Sequence, residues 1–160
     1  MSPERFIDLV RVEQESLRRF LLALCGGDES VADDIAQDAL VRAYVASGSF
    51  LGLSKFSTWL FRIAYNCYAD HHRKPRLETI SSDSQQALSI QASDETDSGF
   101  KHQRLYQALE SLPEKEKASI VLHYFEDRSI KEISSILQIP QGTVKYHLSI
   151  GRNHLKSILQ

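Results

Sequence analysis

The chain has few of the residues that define several common classes of protein. It contains two cysteines, Cys25 and Cys67, and no C-x-x-C spacing, which argues against a disulfide framework or a structural zinc site and favours two half-buried thiols. Its longest uncharged apolar run, around residues 20–25, falls far short of the roughly 18 residues that a membrane-spanning helix needs. The first residues, MSPER, lack the basic and apolar regions of a secretory signal. We therefore expect a cytoplasmic protein without membrane insertion.

What the chain does have is the balance of a globular protein, with 42% hydrophobic and 25% charged residues. Its net charge of -2 conceals alternating blocks. Residues 1–54 hold five basic and nine acidic residues, a net -4, and residues 77–100 hold none and five, a net -5. Residues 55–76 hold five and one, a net +4, and residues 101–160 hold nine and six, a net +3. Two basic blocks indicate two surfaces that face polyanions, although solvated faces would give the same pattern.

The segment 77–100 divides the chain into two domains. It contains six serines and neither lysine nor arginine, shows no sustained helical periodicity, and follows Pro75, which disfavours helix at the residue before it. We predict an N-terminal domain over residues 1–76, a flexible acidic linker over 77–100, and a C-terminal domain over 101–160.

The N-terminal domain is predicted to be all-helical. Apolar residues recur at helical spacing up to Gly26 and Gly27, which end the first helix. Ser30, with Asp33 three residues later, predicts a capping box at the start of a second helix, which residues 47–49 break. A third helix is predicted over residues 57–73. Its inward face is expected to comprise Leu60, Ile63, Ala64 and Cys67, and its outward face Thr58, Arg62, Tyr65, Asn66 and Arg73.

The C-terminal domain shows the same helical pattern. Helices are expected at about residues 101–111, 114–126, 130–137 and 141–158. Ser129 and Glu132 predict a capping box, and the short helix, tight turn and longer helix that follow have the outline of a helix-turn-helix. The last helix is expected to bury Val144, Leu148, Leu155 and Ile158 and to expose Lys145, Tyr146, Ser149, Arg152, Asn153 and Lys156. Gly151 within it should cost about 1 kcal/mol of helix propensity relative to alanine.

Three predicted surfaces carry residues suited to binding, each with a simpler alternative. The exposed face of the last helix has three cations and no acid, which suits duplex DNA, although a plain helical hairpin is the alternative. Residues 55–76 interleave cations with aromatic rings, which suits single-stranded nucleic acid unless the rings fill the core. The second helix presents an acidic, polar and then apolar stripe that can receive a basic partner helix or can simply be solvated. This stripe consists of Asp34, Gln37, Asp38, Val41 and Arg42.

Five segments together carry a family resemblance. They are residues 33–44 (DDIAQDALVRAY), 56–66 (FSTWLFRIAYN), 111–113 (SLP), 130–133 (IKEI) and 139–145 (IPQGTVK). In this order and spacing they resemble the sigma-70 family of bacterial transcription initiation factors, and in particular its small two-domain, extracytoplasmic-function (ECF) type. The resemblance covers nearly the whole chain outside the linker.

The resemblance implies a sigma factor that binds core RNA polymerase and directs promoter-specific transcription initiation. The stripe on the second helix matches region 2.2, which in the family docks on the clamp coiled coil of the beta-prime subunit; the beta subunit is a further expected contact. A second region of the family reads the minus-10 element, as duplex and as melted non-template strand. It is matched by the loop 47–55 and by Lys55, Trp59, Arg62, Tyr65, Asn66, Arg73 and Lys74. Residues that match the region reading the minus-35 duplex are Thr143, Lys145, Tyr146, Ser149, Arg152 and Asn153.

The same resemblance implies further features. Family members are commonly held inactive by an anti-sigma protein, so we expect such a partner. The acidic linker would thread the basic RNA path of the polymerase. The recognition helix departs from the family pattern at Tyr146, His147, Ile150 and Gly151, where a small residue and more arginines are usual, so we expect weaker phosphate anchoring.

Two other functions compete with this interpretation. Asp70-His71-His72 spells the signature of a two-metal phosphoesterase family, but the triplet ends a predicted helix and lacks the other carboxylates that two metals need. A stand-alone helix-turn-helix regulator would bind duplex DNA without polymerase, yet it leaves the stripe unexplained. We expect no enzyme activity, no metal and no cofactor.

Overall fold

The computed structural model describes residues 1–73 and 97–160, and these ranges contain seven α-helices and no strand. The helices are α1 (Pro3–Leu24), α2 (Glu29–Val45), α3 (Phe56–His72), α4 (Asp97–Glu110), α5 (Glu114–Ile120), α6 (Ile130–Leu137) and α7 (Gln141–Leu159). A 3-10 turn (Ser47–Ser49) follows α2, and a π-helical segment (Val121–Phe125) extends α5. The all-helical prediction is confirmed; most of the predicted linker lies outside the described residues. None of the helices so described is both long and apolar enough to span a bilayer.

Helices α1–α3 form the N-terminal module. Each packs against the other two, and the rings of Phe20 on α1 and Phe61 on α3 stack with their centroids 5.2 Å apart. The α1 helix ends at Leu24, just before the predicted glycines. Gly27 has a φ of +87°, which favours glycine. A Cβ at this position would also lie 2.8 Å from the ring of Tyr106 on α4, so both the backbone conformation and the packing require glycine.

The predicted start of α2 is wrong by two residues. The helix is capped by Asp28, whose carboxylate accepts a hydrogen bond from the backbone N–H of Val31 at 3.2 Å, and not by Ser30, which lies within the first turn. Asp28 and Ser30 are both good capping residues. The backbone at Asp28 is extended, as a cap requires, because the chain has just left the turn at Gly27.

Helices α4–α7 form the C-terminal module, which contains the predicted helix-turn-helix. Ser129 accepts a hydrogen bond from the Glu132 N–H, and the Glu132 carboxylate accepts one from the Ser129 N–H, both at 3.0 Å, which confirms the capping box. The α6 helix ends at Leu137, the following Gln138 adopts a left-handed conformation (φ 57°), and Pro140 leads into α7.

The long helix α7 packs on α5 and α6 through Val144 and Leu148, as predicted. Leu155 is partly buried against the core, whereas Ile158 was expected to be buried but is 45% exposed near the end of the helix. Gly151 is buried against Ile120 of α5, and a Cβ at this position would lie 2.8 Å from Ile120 Cγ1. The glycine therefore permits a close approach of two helices, which offsets part of its expected cost in helix propensity.

The two modules pack against each other. The α3 helix lies between α1 and α2 on one side and α6 on the other, while α1 also contacts α4 and the π-helical segment. Thr58 and Tyr65 were predicted to face outward but are only 3% and 4% exposed. The error arises because the C-terminal module covers this side of α3.

The two thiols are shielded. Cys67 is buried and Cys25 is partly buried. Burial raises the pKa of Cys25 to about 12 and that of Cys67 to about 11, so both are neutral thiols at pH 7.

Native protein at pH 7 should therefore react slowly with a thiol-specific reagent such as dithionitrobenzoate, since only the thiolate attacks. Reaction in denaturant, where both pKa values return to normal, should be at least about tenfold faster. Equal rates in the two conditions would contradict the burial of these side chains.

A second prediction concerns Gly151. Gly151→Ala should destabilise the fold by about 1 kcal/mol, since overpacking against Ile120 costs about 1–3 kcal/mol and the gain in helix propensity is about 1 kcal/mol. In an Ile120→Ala background the clash is removed, and the same substitution should become stabilising. Chemical denaturation of the four proteins in this cycle measures both effects; an unchanged sign would mean that the close approach is not what requires glycine.

Candidate functional site

The stripe predicted on α2 is exposed along its whole length. Asp34, Gln37, Asp38, Val41 and Arg42 all lie at the surface. The guanidinium of Arg42 pairs with Asp38 at 3.2 Å and with Asp70 of α3 at 2.9 Å, and its hydrogen bond lowers the pKa of Asp70. We call these five residues the α2 stripe.

An apolar patch that sequence reasoning missed continues the α2 stripe. Val41, Tyr44 and Val45 are 62%, 50% and 80% exposed, at the end of α2 away from Asp34. Single exposed apolar residues are ordinary. Three of them on one turn, next to the acidic α2 stripe, form a surface that combines negative charge with apolar area. A partner helix with basic and apolar residues would match it. The pattern i, i+3, i+4 was visible in the sequence.

The residues of the predicted minus-10 surface on and around α3 differ in their exposure and contacts. We call this set the α3 face: Lys55, Trp59, Arg62, Tyr65, Asn66, Arg73 and Lys74. Trp59 packs against Phe50, with ring centroids 5.2 Å apart, and is only partly exposed. Asn66 is exposed, and Arg73 forms an ion pair with Asp70. Lys74 lies outside the described residues. Most rings of this segment thus fill the core, which was the simpler alternative: Phe61, Tyr65 and Tyr68 are buried.

Three members of the α3 face contact the C-terminal module. Arg62 donates to the backbone carbonyl of Ser135 at 3.0 Å and to its hydroxyl at 2.6 Å. The Tyr65 hydroxyl donates to Glu114 at 3.3 Å, and burial raises the pKa of this phenol, which keeps it neutral. Lys55 pairs with Glu132 at 3.5 Å while its side chain stays 75% exposed. Each of these three side chains therefore contacts either α5 or α6.

The loop before α3 presents two leucines to solvent. Leu51 is 78% exposed and Leu53 is 90% exposed, on either side of Gly52 at a φ of +75°. Such exposure of large apolar side chains costs free energy unless a ligand covers them. The loop 47–55 was predicted from the resemblance, but its exposed leucines were not.

The predicted DNA-facing side of α7 lies at the surface. Lys145, Tyr146, Ser149, Arg152 and Asn153 are exposed and Thr143 is partly exposed, and we call these six residues the α7 face. The α7 helix contains no acidic residue. Arg152 donates to the hydroxyl of Tyr124 at 2.9 Å, which orients the guanidinium from the π-helical segment.

Sequence reasoning missed a cluster of charged residues between the modules. Glu126, whose side chain is 1% exposed, accepts hydrogen bonds from Arg19 (3.1 and 3.3 Å) and from Ser16 of α1. Arg128 donates to Ser57 at 3.0 Å and lies 4.6 Å from the centroid of the Phe61 ring. No local signal in the sequence pairs residues that lie more than one hundred positions apart.

A buried lysine adds to this cluster. The Lys117 ammonium donates to the Leu24 carbonyl at 2.8 Å, to the Tyr68 hydroxyl at 3.0 Å and to Glu110 at 3.0 Å, and its side chain is 6% exposed. Two of these three acceptors belong to the N-terminal module. We call Lys117, Glu126 and Arg128 with their partners the interdomain contact.

The triplet that spells a metal signature is engaged in ordinary contacts. Asp70 accepts from Arg42 and Arg73, and His72 Nδ1 lies 3.1 Å from the Tyr68 carbonyl. Across residues 1–73 and 97–160, no group of three or more His, Cys, Asp or Glu side chains is placed to hold a metal ion.

Comparison with known proteins follows the same division of the chain. Residues 9–77 match the family model "Sigma-70 region 2", and residues 102–155 match "Sigma-70, region 4". The ECF RNA polymerase sigma factor SigW of Bacillus subtilis is 34% identical over 98% of this chain and 90% of its own length. The RNA polymerase sigma-H factor of Pseudomonas aeruginosa is 28% identical over 98% and 88%.

Solved structures agree with this assignment. The sigma factor RpoE, in its co-crystal structure with the anti-sigma factor NepR from Bartonella quintana, has a TM-score of 0.79 and 25% identity, over 98% of this chain and 97% of that one. CnrH, solved with the cytosolic domain of CnrY, has a TM-score of 0.74 at 22% identity, which shows the shared fold. The chain belongs to the sigma-70 family of RNA polymerase sigma factors, within its extracytoplasmic-function group.

Proposed function

We propose that this protein binds core RNA polymerase and directs promoter-specific transcription initiation, with its two modules on the two promoter elements. The observation that carries the proposal is that each matched sigma region bears an exposed surface of the appropriate charge. The acidic α2 stripe lies within the region 2 match and the acid-free α7 face within the region 4 match. The protein would act in the cytoplasm, with the catalytic chemistry left to the polymerase.

The α2 stripe is proposed as the docking surface for the clamp coiled coil of the beta-prime subunit. Asp34 and Asp38 supply negative charge for a basic helix, and Val41 begins the apolar patch that would be buried with it. Ion pairs with Asp38 and Asp70 restrain Arg42, so this side chain loses less conformational entropy on binding.

The α3 face and the α7 face are proposed as the DNA contacts. Asn66, Lys55 and Arg62 would meet the melted minus-10 strand, with the exposed Leu51 and Leu53 covered by its bases. Lys145 and Arg152 would hold phosphates of the minus-35 duplex, while Tyr146, Ser149 and Asn153 would lie along the base edges. The buried Tyr65 can reach DNA only if the C-terminal module moves away.

An anti-sigma factor is proposed as a further partner. The support is the similarity to RpoE, which was solved in complex with the anti-sigma factor NepR and matches this chain over nearly the full length of both. The apolar patch of α2 and the leucines of the loop 47–55 are surfaces that such a partner could cover.

The test of polymerase docking is charge reversal on the α2 stripe. Asp34→Arg/Asp38→Arg should weaken binding to bacterial core RNA polymerase by at least about tenfold, because like charges replace complementary ones. A titration with labelled protein measures it. The matched control is Glu4→Arg/Asp8→Arg, the same charge change at the same four-residue spacing on the exposed side of α1.

Equal affinities of the stripe variant and the control would contradict the assignment of this surface. Failure of the wild type to bind polymerase, together with tight binding of the free protein to duplex DNA, would replace the proposal with a stand-alone helix-turn-helix regulator.

The α7 face generates a second prediction. In complex with polymerase, Lys145→Ala should weaken binding to DNA fragments selected from a random library and reduce the slope of log K against log salt by about 1, because one phosphate contact is lost. Arg11→Ala, which removes an exposed cation from α1, is the control and should leave both quantities unchanged. An unaltered slope in Lys145→Ala would remove this residue from the proposed interface.

A further inference from the structure

The hydrogen bond between Arg152 and Tyr124 joins the α7 face to a residue outside it. Nη1 of Arg152 donates to the hydroxyl oxygen of Tyr124 at 2.9 Å, and both side chains lie at the surface. Tyr124 belongs to the π-helical segment and was not among the residues predicted to bind DNA. Its side chain is 51% exposed, and tyrosine is enriched at interfaces, where the ring is covered and the hydroxyl remains hydrogen-bonded.

The close approach of α7 to α5 makes this hydrogen bond possible. Gly151 packs against Ile120 without a side chain of its own between the helices. Tyr124 follows Ile120 by four residues, about one turn further along the same helical stretch. Arg152, the neighbour of Gly151, is therefore within reach of the Tyr124 hydroxyl, and a larger residue at position 151 would push the two apart.

A second polar contact fixes α7 on the same row of residues. Nδ1 of His154 lies 2.6 Å from a carboxylate oxygen of Glu116, whose side chain is buried. Glu116, Ile120 and Tyr124 follow one another at four-residue spacing, so they lie on one side of the helical stretch. Each of these three residues contacts α7, and the helix is therefore held on both sides of the close approach at Ile120.

The π-helical segment holds the ring of Tyr124 independently of Arg152. Its wide turn is a rare helical geometry that is frequent at functional sites. The rings of His123 and Tyr124 meet edge to face with their centroids 4.8 Å apart, and Nδ1 of His123 lies 3.1 Å from the backbone carbonyl oxygen of Arg128. The Tyr124 hydroxyl is therefore a fixed acceptor for the guanidinium.

An oriented guanidinium is a better phosphate ligand than one that moves freely. Arg152 uses one of its five N–H donors on Tyr124, so the others remain for the oxygens of a phosphate. The hydrogen bond also restrains a long side chain, which then loses less rotamer entropy on binding. Because α7 has fewer arginines than the family pattern, each of its cations accounts for a larger share of the phosphate contacts.

We propose that Tyr124 is a positioning residue for DNA binding, which acts through Arg152 by directing its guanidinium to a backbone phosphate of the duplex. The proposal rests on the proposed function of the α7 face and adds to that surface a residue from outside the helix. Contacts with phosphates fix the register of a protein on duplex DNA, so the hydroxyl of Tyr124 would help to set how α7 lies in the groove.

The test removes the hydroxyl and keeps the ring. Tyr124→Phe, Arg152→Ala and the double variant are compared with wild type, in complex with core RNA polymerase, on duplex DNA fragments selected from a random library. Tyr124→Phe should weaken binding about fivefold, as expected for one lost hydrogen bond. It should also reduce the slope of log K against log salt towards that of Arg152→Ala, although it removes no charge. The double variant should bind no more weakly than Arg152→Ala.

The matched control is Tyr106→Phe. It deletes a phenol hydroxyl from the same module, at a ring that packs beside Gly27 and not at the α7 face. It should leave the affinity and the salt slope unchanged. Far-UV circular dichroism and chemical denaturation check that both phenylalanine variants keep the wild-type fold.

An unchanged salt slope in Tyr124→Phe would overturn the proposal whatever happens to the affinity, because the hydroxyl would then not direct Arg152. So would a double variant in which the two losses of affinity multiply. If Arg152→Ala and Lys145→Ala still reduce the slope, the proposed function stands and only the role of Tyr124 is wrong.

Failure of the proposed function gives a different result. If the wild type does not bind polymerase, the same proteins are compared in the free state on duplex DNA, where the same pattern is expected. If Arg152→Ala leaves the slope unaltered, both the role of Tyr124 and the place of Arg152 in the α7 face are wrong.

Discussion

The structure depends on the need to bury α3 on two opposite sides. Leu60, Phe61 and Ala64 are fully buried, and they join α3 to the core that α1 and α2 also build. On the other side, Arg62 donates hydrogen bonds to α6, and Tyr65 contacts α5 through its hydroxyl and its ring face. A 17-residue helix that serves both sides has few positions left for solvent, which explains why so many of its aromatic residues are buried.

The two sides of α3 differ in the kind of interaction that stabilises them. The inner side is apolar and closely packed, so disrupting it would unfold the module. Towards the C-terminal module, Lys117, Glu126 and Arg128 add hydrogen bonds and ion pairs to the N-terminal module. Apolar residues of both modules also belong to one buried cluster, so these polar contacts supplement a shared core.

The helices could be predicted from the sequence because their signals are local. Periodicity and capping residues gave residues 130–137 with both ends correct, and paired glycines marked the end of α1. The start of α2 was missed because Asp28 and Ser30 cap equally well and only the preceding turn decides between them. The burial of Thr58 and Tyr65, and the role of Gly151 against Ile120, depend on partners at least thirty positions away, which periodicity cannot identify. The exposed positions of the α2 stripe were predictable for the opposite reason, since no distant element covers them.

Because Glu126 and Arg19 belong to one polypeptide, the fraction of molecules in which they meet does not depend on how much protein a cell contains. A contact between separate chains weakens when the protein is diluted. Within one chain the two side chains stay at a fixed local concentration, so dilution alone does not separate them.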